Sequence, residues 1–168
     1  MDGQMKEQLQ KLASIGGGFE SETDRGCAVL AVAALEERLR ESLKERLSIS
    51  DADLNSFVPM GAMGKGVQLA KMVGLIPPAW EADWKLTLKI RNEFAHSAAP
   101  SISFDAPPIS HWIRDLAIIP RIPGHSNRAK FLSVASALYA LLAWVTQNVG
   151  AISVPSISMW GPDGEVPQ

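Results

Sequence analysis

Arg91 and His96 stand five residues apart in the stretch Ile90-Arg91-Asn92-Glu93-Phe94-Ala95-His96-Ser97. A guanidinium is always charged and presents a planar fork of donors that fits phosphate oxygens. An imidazole takes and gives protons near neutral pH. Together they are the smallest kit for metal-free chemistry at a phosphodiester. The same two types also suit a structural pair at a helix end. In that version Arg91 pairs with Glu93 or Asp24, and His96 sits against the last helical carbonyls, where a cation complements the helix dipole. Five residues turn through about 140° on an ideal helix, so the two side chains diverge unless the chain frays at His96. Pro100 follows closely and stops the helix near that point. Asn92 and His96 differ by about 40° and share a face. The Asn92 amide can therefore fix the imidazole tautomer or contact a substrate.

Other chemistry-bearing residues are fewer. Asp24 and Arg25 open a long helix. Asp suits that end of the dipole and Arg does not, which predicts a tertiary partner for Arg25, most simply a salt bridge holding this helix against the Arg91 helix. The segment from Gly61 to Gly66 imitates a phosphate-binding loop but lacks its Ser or Thr, its first Gly and a preceding strand. Arg114, Arg121, His125, Arg128 and Lys130 make a locally positive region, read as a solvated loop because aromatic residues are scarce around it. His96, His111 and His125 have no metal-ligand spacing, and neither a metal nor a cofactor is expected.

The positioning elements are helical. Residues 4–15 have a short amphipathic pattern, and Gly16-Gly17-Gly18 breaks it. Ser21-x-x-Asp24 resembles a capping box. Behind it Cys27, Leu30, Ala31, Ala34, Leu35, Leu39, Leu43 and Leu47 recur at spacings of three and four, over a helix of roughly 25 residues. Arg38 and Arg40 fall on its polar faces. Ser50 and Asp51 begin a short segment ending near Pro59. Further helices are predicted over residues 63–73, from Pro78 or Ala79 to His96, over 109–116 and over 126–148. The last carries two apolar faces, a main one through Phe131, Leu138 and Val145 and a milder one through Leu132, Tyr139, Ala140 and Ala143. A helix apolar on two sides wants partners on two sides, so it either sits centrally or turns one face to a second subunit. The five Trp residues read as packing anchors. The expected fold is an all-α bundle of about five helices. Residues 1–150 form a single domain, with an irregular Pro-rich segment at 100–125 and a tail at 151–168.

The chain has 168 residues, nearly half hydrophobic, with a net charge of −2. That argues against coating duplex DNA by bulk electrostatics. A single cysteine, Cys27, allows no intrachain disulfide and fits a reducing compartment. The start is polar and mixed in charge rather than a secretory signal. The run from Phe131 to Val145 is short and rich in Ala and Ser for a membrane span. A cytoplasmic location is expected.

Arg-Asn-x-x-x-His at a helix end in a small all-α chain resembles the ribonuclease motif of the HEPN superfamily. A closer resemblance, over residues 21–105, is to the mannitol operon repressor family, itself HEPN-like. Three pieces carry it in order: ETDRGCAVLAVAALEERL, FVPMGAMGKGVQLAKMVGLIP, and KLTLKIRNEFAHS followed by Phe104. Gly64 and Gly66 stand where that family prefers better helix formers. The resemblance implies a HEPN-like bundle, a homodimer, and a regulatory role without a helix-turn-helix, through protein or RNA partners. Autonomous reading of duplex DNA is not expected. It also carries an alternative, a metal-independent endoribonuclease with Arg91, His96 and Asn92 as catalytic residues shared across a dimer. Asp24, Arg25 and Glu93 would then contact substrate or support the site. A structural interaction module is the third reading.

Overall fold

The computed structural model describes residues 19, 21–119 and 124–152. Among these the fold is all-α. The elements are α1 (Asp24–Leu47), α2 (Asp51–Phe57), α3 (Met63–Met72), a 3-10 turn (Pro78–Trp80), α4 (Glu81–His96), α5 (Ile109–Asp115) and α6 (Asn127–Val149). The expected amphipathic segment at 4–15, and the tail residues Val154, Ile157, Met159 and Trp160, lie outside the described residues.

α1 is the axis of the bundle. Its N-cap is Thr23, whose hydroxyl accepts from the Gly26 N–H. The anticipated Ser21–Asp24 box is therefore displaced by two residues, because the chain turns helical only at Asp24. Ser48 closes the helix in the left-handed region at φ 53°. Cys27, Ala31, Leu35, Leu39 and Leu43 are buried as the spacing required. Each large apolar side chain buried in this way contributes about 1.5–3 kcal/mol. Leu30 departs from the predicted stripe and is 45% exposed.

Arg38 and Arg40 also depart from expectation, since both are buried. The region after α1 folds back over it, so the polar face is partly covered. Arg40 donates to the Val58 carbonyl (2.8 Å) and to Asn55 Oδ1 (2.5 Å), fixing α2 and its exit. Arg38 pairs with Glu41 at 3.1 Å. α3 approaches α1 closely at Gly66, where an added Cβ would lie 3.2 Å from Leu39 Cδ2 and 3.4 Å from Val58 Cγ1. Gly64, by contrast, faces open space. The first glycine permits the contact between the helices, and the second has no such reason.

α6 runs beside α1 in the same direction. At their starts Arg128 meets Asp24 at 3.1 Å. At their ends Arg46 donates to the carbonyls of Val149 (3.2 Å) and Gly150 (2.9 Å). Phe131, Val134, Leu138 and Leu142 are buried on one face of α6, and Tyr139 and Ala143 are buried beside them. Trp144 is no packing anchor, being 61% exposed. Trp84 is buried, Trp80 and Trp112 are half-buried, and Trp160 lies outside the described residues. By length and composition α6 could cross a membrane, but 56% of its most apolar window is buried inside the fold, as in a core helix.

Candidate functional site

α4 carries the Arg-Asn-His stretch, and its placement follows from ties at both ends. Its inner face buries Asp83, Trp84, Thr87, Ile90 and Phe94. At the N-terminal end Lys71 of α3 and Lys85 both reach the Glu81 carboxylate, at 2.5 and 2.7 Å. These two ammonium groups lower the Glu81 pKa from its ordinary 4.5 to about 2, the Lys71 hydrogen bond contributing most. Asp83 is buried, and its Oδ1 accepts from the N–H groups of Ala117 (2.7 Å) and Ile118 (3.3 Å) just beyond α5. Sequence reasoning passed over Asp83. A charged residue on an apolar inner face is the signal that marks such a tie.

At the C-terminal end Phe94 packs edge-on against Phe104, with ring centroids 4.7 Å apart, and Phe104 meets Phe131 of α6 at 5.1 Å. Arg25 donates to the carbonyls of Ser97 (3.0 Å) and Ala99 (2.9 Å). Asp24 accepts from the Phe104 N–H at 3.0 Å while pairing with Arg128. Arg128 also donates to the Phe19 carbonyl. Asp24 and Arg25 thus hold the chain on either side of the Phe104 turn. Arg25 does bind α1 to the end of α4, through carbonyls rather than a carboxylate. Two cations expected in a solvated loop are structural as well. Arg128 is half-buried between α1 and Phe19, and Lys130 is buried with its ammonium on the Arg114 carbonyl at 3.1 Å. Arg121 lies outside the described residues.

The remaining site residues face outward. His96 and Asn92 are exposed, and Arg91 and Glu93 are half-buried. None of these four side chains makes a hydrogen bond or ion pair among the described residues. The helix continues through His96, with Ser97 as its cap donating N–H to the Glu93 carbonyl at 3.0 Å. Without fraying at His96, the 140° divergence of the helical wheel applies. Arg91 lies at the margin of the buried face, whereas Asn92 and His96 share the outer one. The anticipated Arg91 pairing with Asp24 does not occur, because Arg128 occupies that carboxylate.

Lys85, Lys89, Asn92 and His96 follow one another at spacings of four, three and four, so they form one outer stripe on α4. Lys89 Nζ lies 4.1 Å from the ring centroid of Trp112 on α5, a cation–π contact invisible in the local sequence. Among the described residues no group of three or more His, Cys, Asp or Glu is arranged to hold a metal ion. Cys27 is fully buried, and burial pushes its thiol pKa up despite the nearby Arg128.

No family model, no curated protein and no solved structure matches the chain.

Proposed function

We propose that this chain is a regulatory protein of the HEPN-like helical type, resembling the mannitol operon repressor family, and that it acts by engaging RNA through the outer end of α4. One observation carries the reading. The charged residues beside the motif, Asp24 and Arg25, are consumed in holding the fold, while Arg91, Asn92 and His96 have no side-chain partner among the described residues. A guanidinium, an amide and an imidazole available together suit phosphate and base edges of unpaired RNA. The acidic net charge fits a local contact better than a duplex-coating surface.

Anisotropy titrations with labelled single-stranded RNA and with duplex DNA test this. RNA should bind, duplex DNA should bind more weakly, and Arg91→Ala with His96→Ala should weaken RNA binding. Equal affinity of wild type and the double variant for RNA sinks the reading, and a protein partner then becomes the alternative ligand of the same family resemblance.

A second reading is a metal-independent endoribonuclease, on which the helical geometry sets a condition. A helix unbroken through His96 keeps Arg91 and His96 apart in one chain, so a catalytic pair needs two protomers. There His96 would remove the 2′-OH proton or protonate the leaving 5′-oxygen, Arg91 would hold the non-bridging oxygens, and Asn92 would orient the imidazole or the phosphate. The products would be a 2′,3′-cyclic phosphate and a 5′-OH end. Cutting of RNA in EDTA, abolished by either substitution, supports it. Wild-type protein that leaves several RNAs intact removes it.

A further inference from the structure

Trp112 of α5 is half-buried and packs its body against the core, yet one face of its ring is turned to the surface. Lys89 of α4 marks that face. Its side chain is exposed, and its Nζ rests 4.1 Å from the ring centroid. An exposed ammonium reaches a ring face only where no apolar side chain seals it. Lys89 makes no hydrogen bond or ion pair among the described residues, and neither does the Trp112 indole N–H. A buried indole N–H ordinarily finds a partner, so this edge of the ring also meets solvent. Two other tryptophans offer no such arrangement. Trp84 is sealed in the core, and Trp144 stands among uncharged residues of α6.

Charge around the ring is close to balanced. Arg114 and Asp115, neighbours on α5, are both exposed and oppose one another. Glu93 follows Lys89 by one turn of α4 and offsets it. Lys85, one turn before Lys89, is already paired with Glu81 at 2.7 Å. The place therefore has no charge excess with which to select a phosphate. It has a flat π surface, a donor at the ring edge and a displaceable cation, which suit an uncharged aromatic ring with a polar edge. A nucleobase is such a ring.

We propose that Trp112 is a base-stacking platform for single-stranded RNA, taking a nucleobase on the ring face that Lys89 covers. The inference rests on the RNA reading of the α4 end and adds the residue that reads bases beside it. Lys89 precedes His96 by seven residues, about 10 Å along α4, with Asn92 between them on the same stripe. A strand of a few nucleotides laid along that stripe passes Asn92 and His96 and brings one base to Trp112. Base–aromatic stacking is stronger than an exposed cation–π contact, so the base displaces the ammonium, which then meets the adjoining phosphate.

The test is an anisotropy titration of the whole chain with a labelled oligoadenylate and with an abasic oligomer of equal length and charge. Wild type should bind the oligoadenylate roughly tenfold more tightly. Trp112→Leu should lose that factor on the oligoadenylate and bind the abasic oligomer as wild type does. Trp112→Phe keeps a ring and should retain most of the preference. Lys89→Met should keep the preference and reduce the salt dependence by about one phosphate contact. Circular dichroism establishes that each variant keeps its helix content. A purely structural Trp112, tying α5 to α4, would instead weaken binding of both oligomers alike. That result, or an undiminished base preference in Trp112→Leu, overturns the proposal, and the RNA reading survives it if Arg91→Ala with His96→Ala still weakens binding. Wild type that binds neither oligomer overturns the RNA reading and the stacking platform together.

Discussion

Arg25, in the first turn of α1, donates from Nη2 to the Ser97 carbonyl at 3.0 Å, across 72 positions of sequence. The same nitrogen reaches the Ala99 carbonyl at 2.9 Å. A cation at a helix N-terminus is unfavourable to the dipole, and this pair of carbonyls, next to the C-terminal end of α4, compensates it. The end of α4 that presents His96 is thus clamped by a residue from the start of α1. Arg25→Ala should cost about 1–2 kcal/mol, the net worth of charged hydrogen bonds that are partly solvated. Urea unfolding gives that loss. Hydrogen exchange should show the Ser97 and Ala99 amides opening faster, and unchanged exchange there would mean that the clamp does not hold this segment.

Arg91 and His96 should behave oppositely. Neither makes a tie among the described residues. Arg91→Ala and His96→Ala should each change unfolding free energy by no more than about 0.5 kcal/mol, the range of unengaged surface positions. A loss of several kcal/mol for either would move these residues into the structural framework and remove the basis for a functional role.

Asp83 gives a strong stability prediction. Its buried carboxylate accepts two backbone N–H groups from the segment after α5. Asp83→Ala strands both donors and should cost about 2–3 kcal/mol, lowering the midpoint of thermal unfolding by several degrees. Thr87, one turn further along the same inner face, is the counterexample. Its hydroxyl is buried and has no partner among the described residues. Thr87→Val keeps the shape and removes that burden, so it should be neutral or stabilising in the same measurement.

Glu81 makes the fold sensitive to acid. Lys71 and Lys85 hold its pKa near 2 against an ordinary 4.5. The unfolded chain binds the proton first as pH falls, so the stabilisation is fully present above 4.5 and is lost between that value and about 2. Urea midpoints measured through this window should fall with pH in wild type and fall less in Glu81→Gln. Added salt should shrink the difference, since the pair is solvent-exposed. Equal slopes for the two proteins would refute the assignment.

Cys27 should be inert in the folded protein. It is fully buried, and burial raises its thiol pKa, which lowers the fraction of reactive thiolate. A thiol-specific chromogenic reagent should label it slowly in buffer and at once in denaturant. Fast labelling of native protein would show that α1 and α6 open readily over it.

Local pattern was enough for the elements themselves. Leucines at spacings of three and four announced α1, the prolines at 77–78 and 100 bracketed α4, and the run from Phe131 announced α6. Such signals are legible because a helix repeats its buried face every turn, whatever it packs against. The same signals misplace Arg38 and Arg40, which carry charge at positions that only the return of α2 and α3 makes internal. They misplace Trp144 for the converse reason, because no described helix covers its side of α6.

The candidate site divides in the same way. The sequence by itself determined that Arg91, Asn92 and His96 share one helix, and that Asn92 and His96 share one face, because helical geometry depends only on spacing. It also marked Arg25 as needing a distant partner. Only the tertiary structure decided who the partners are. Ser97 and Ala99 receive Arg25, and Arg128 takes Asp24. Lys89 rests on Trp112, and nothing among the described residues engages Arg91 or His96. Those pairings join positions far apart in the chain, and they are set by how the helices stack, which spacing along one helix does not encode.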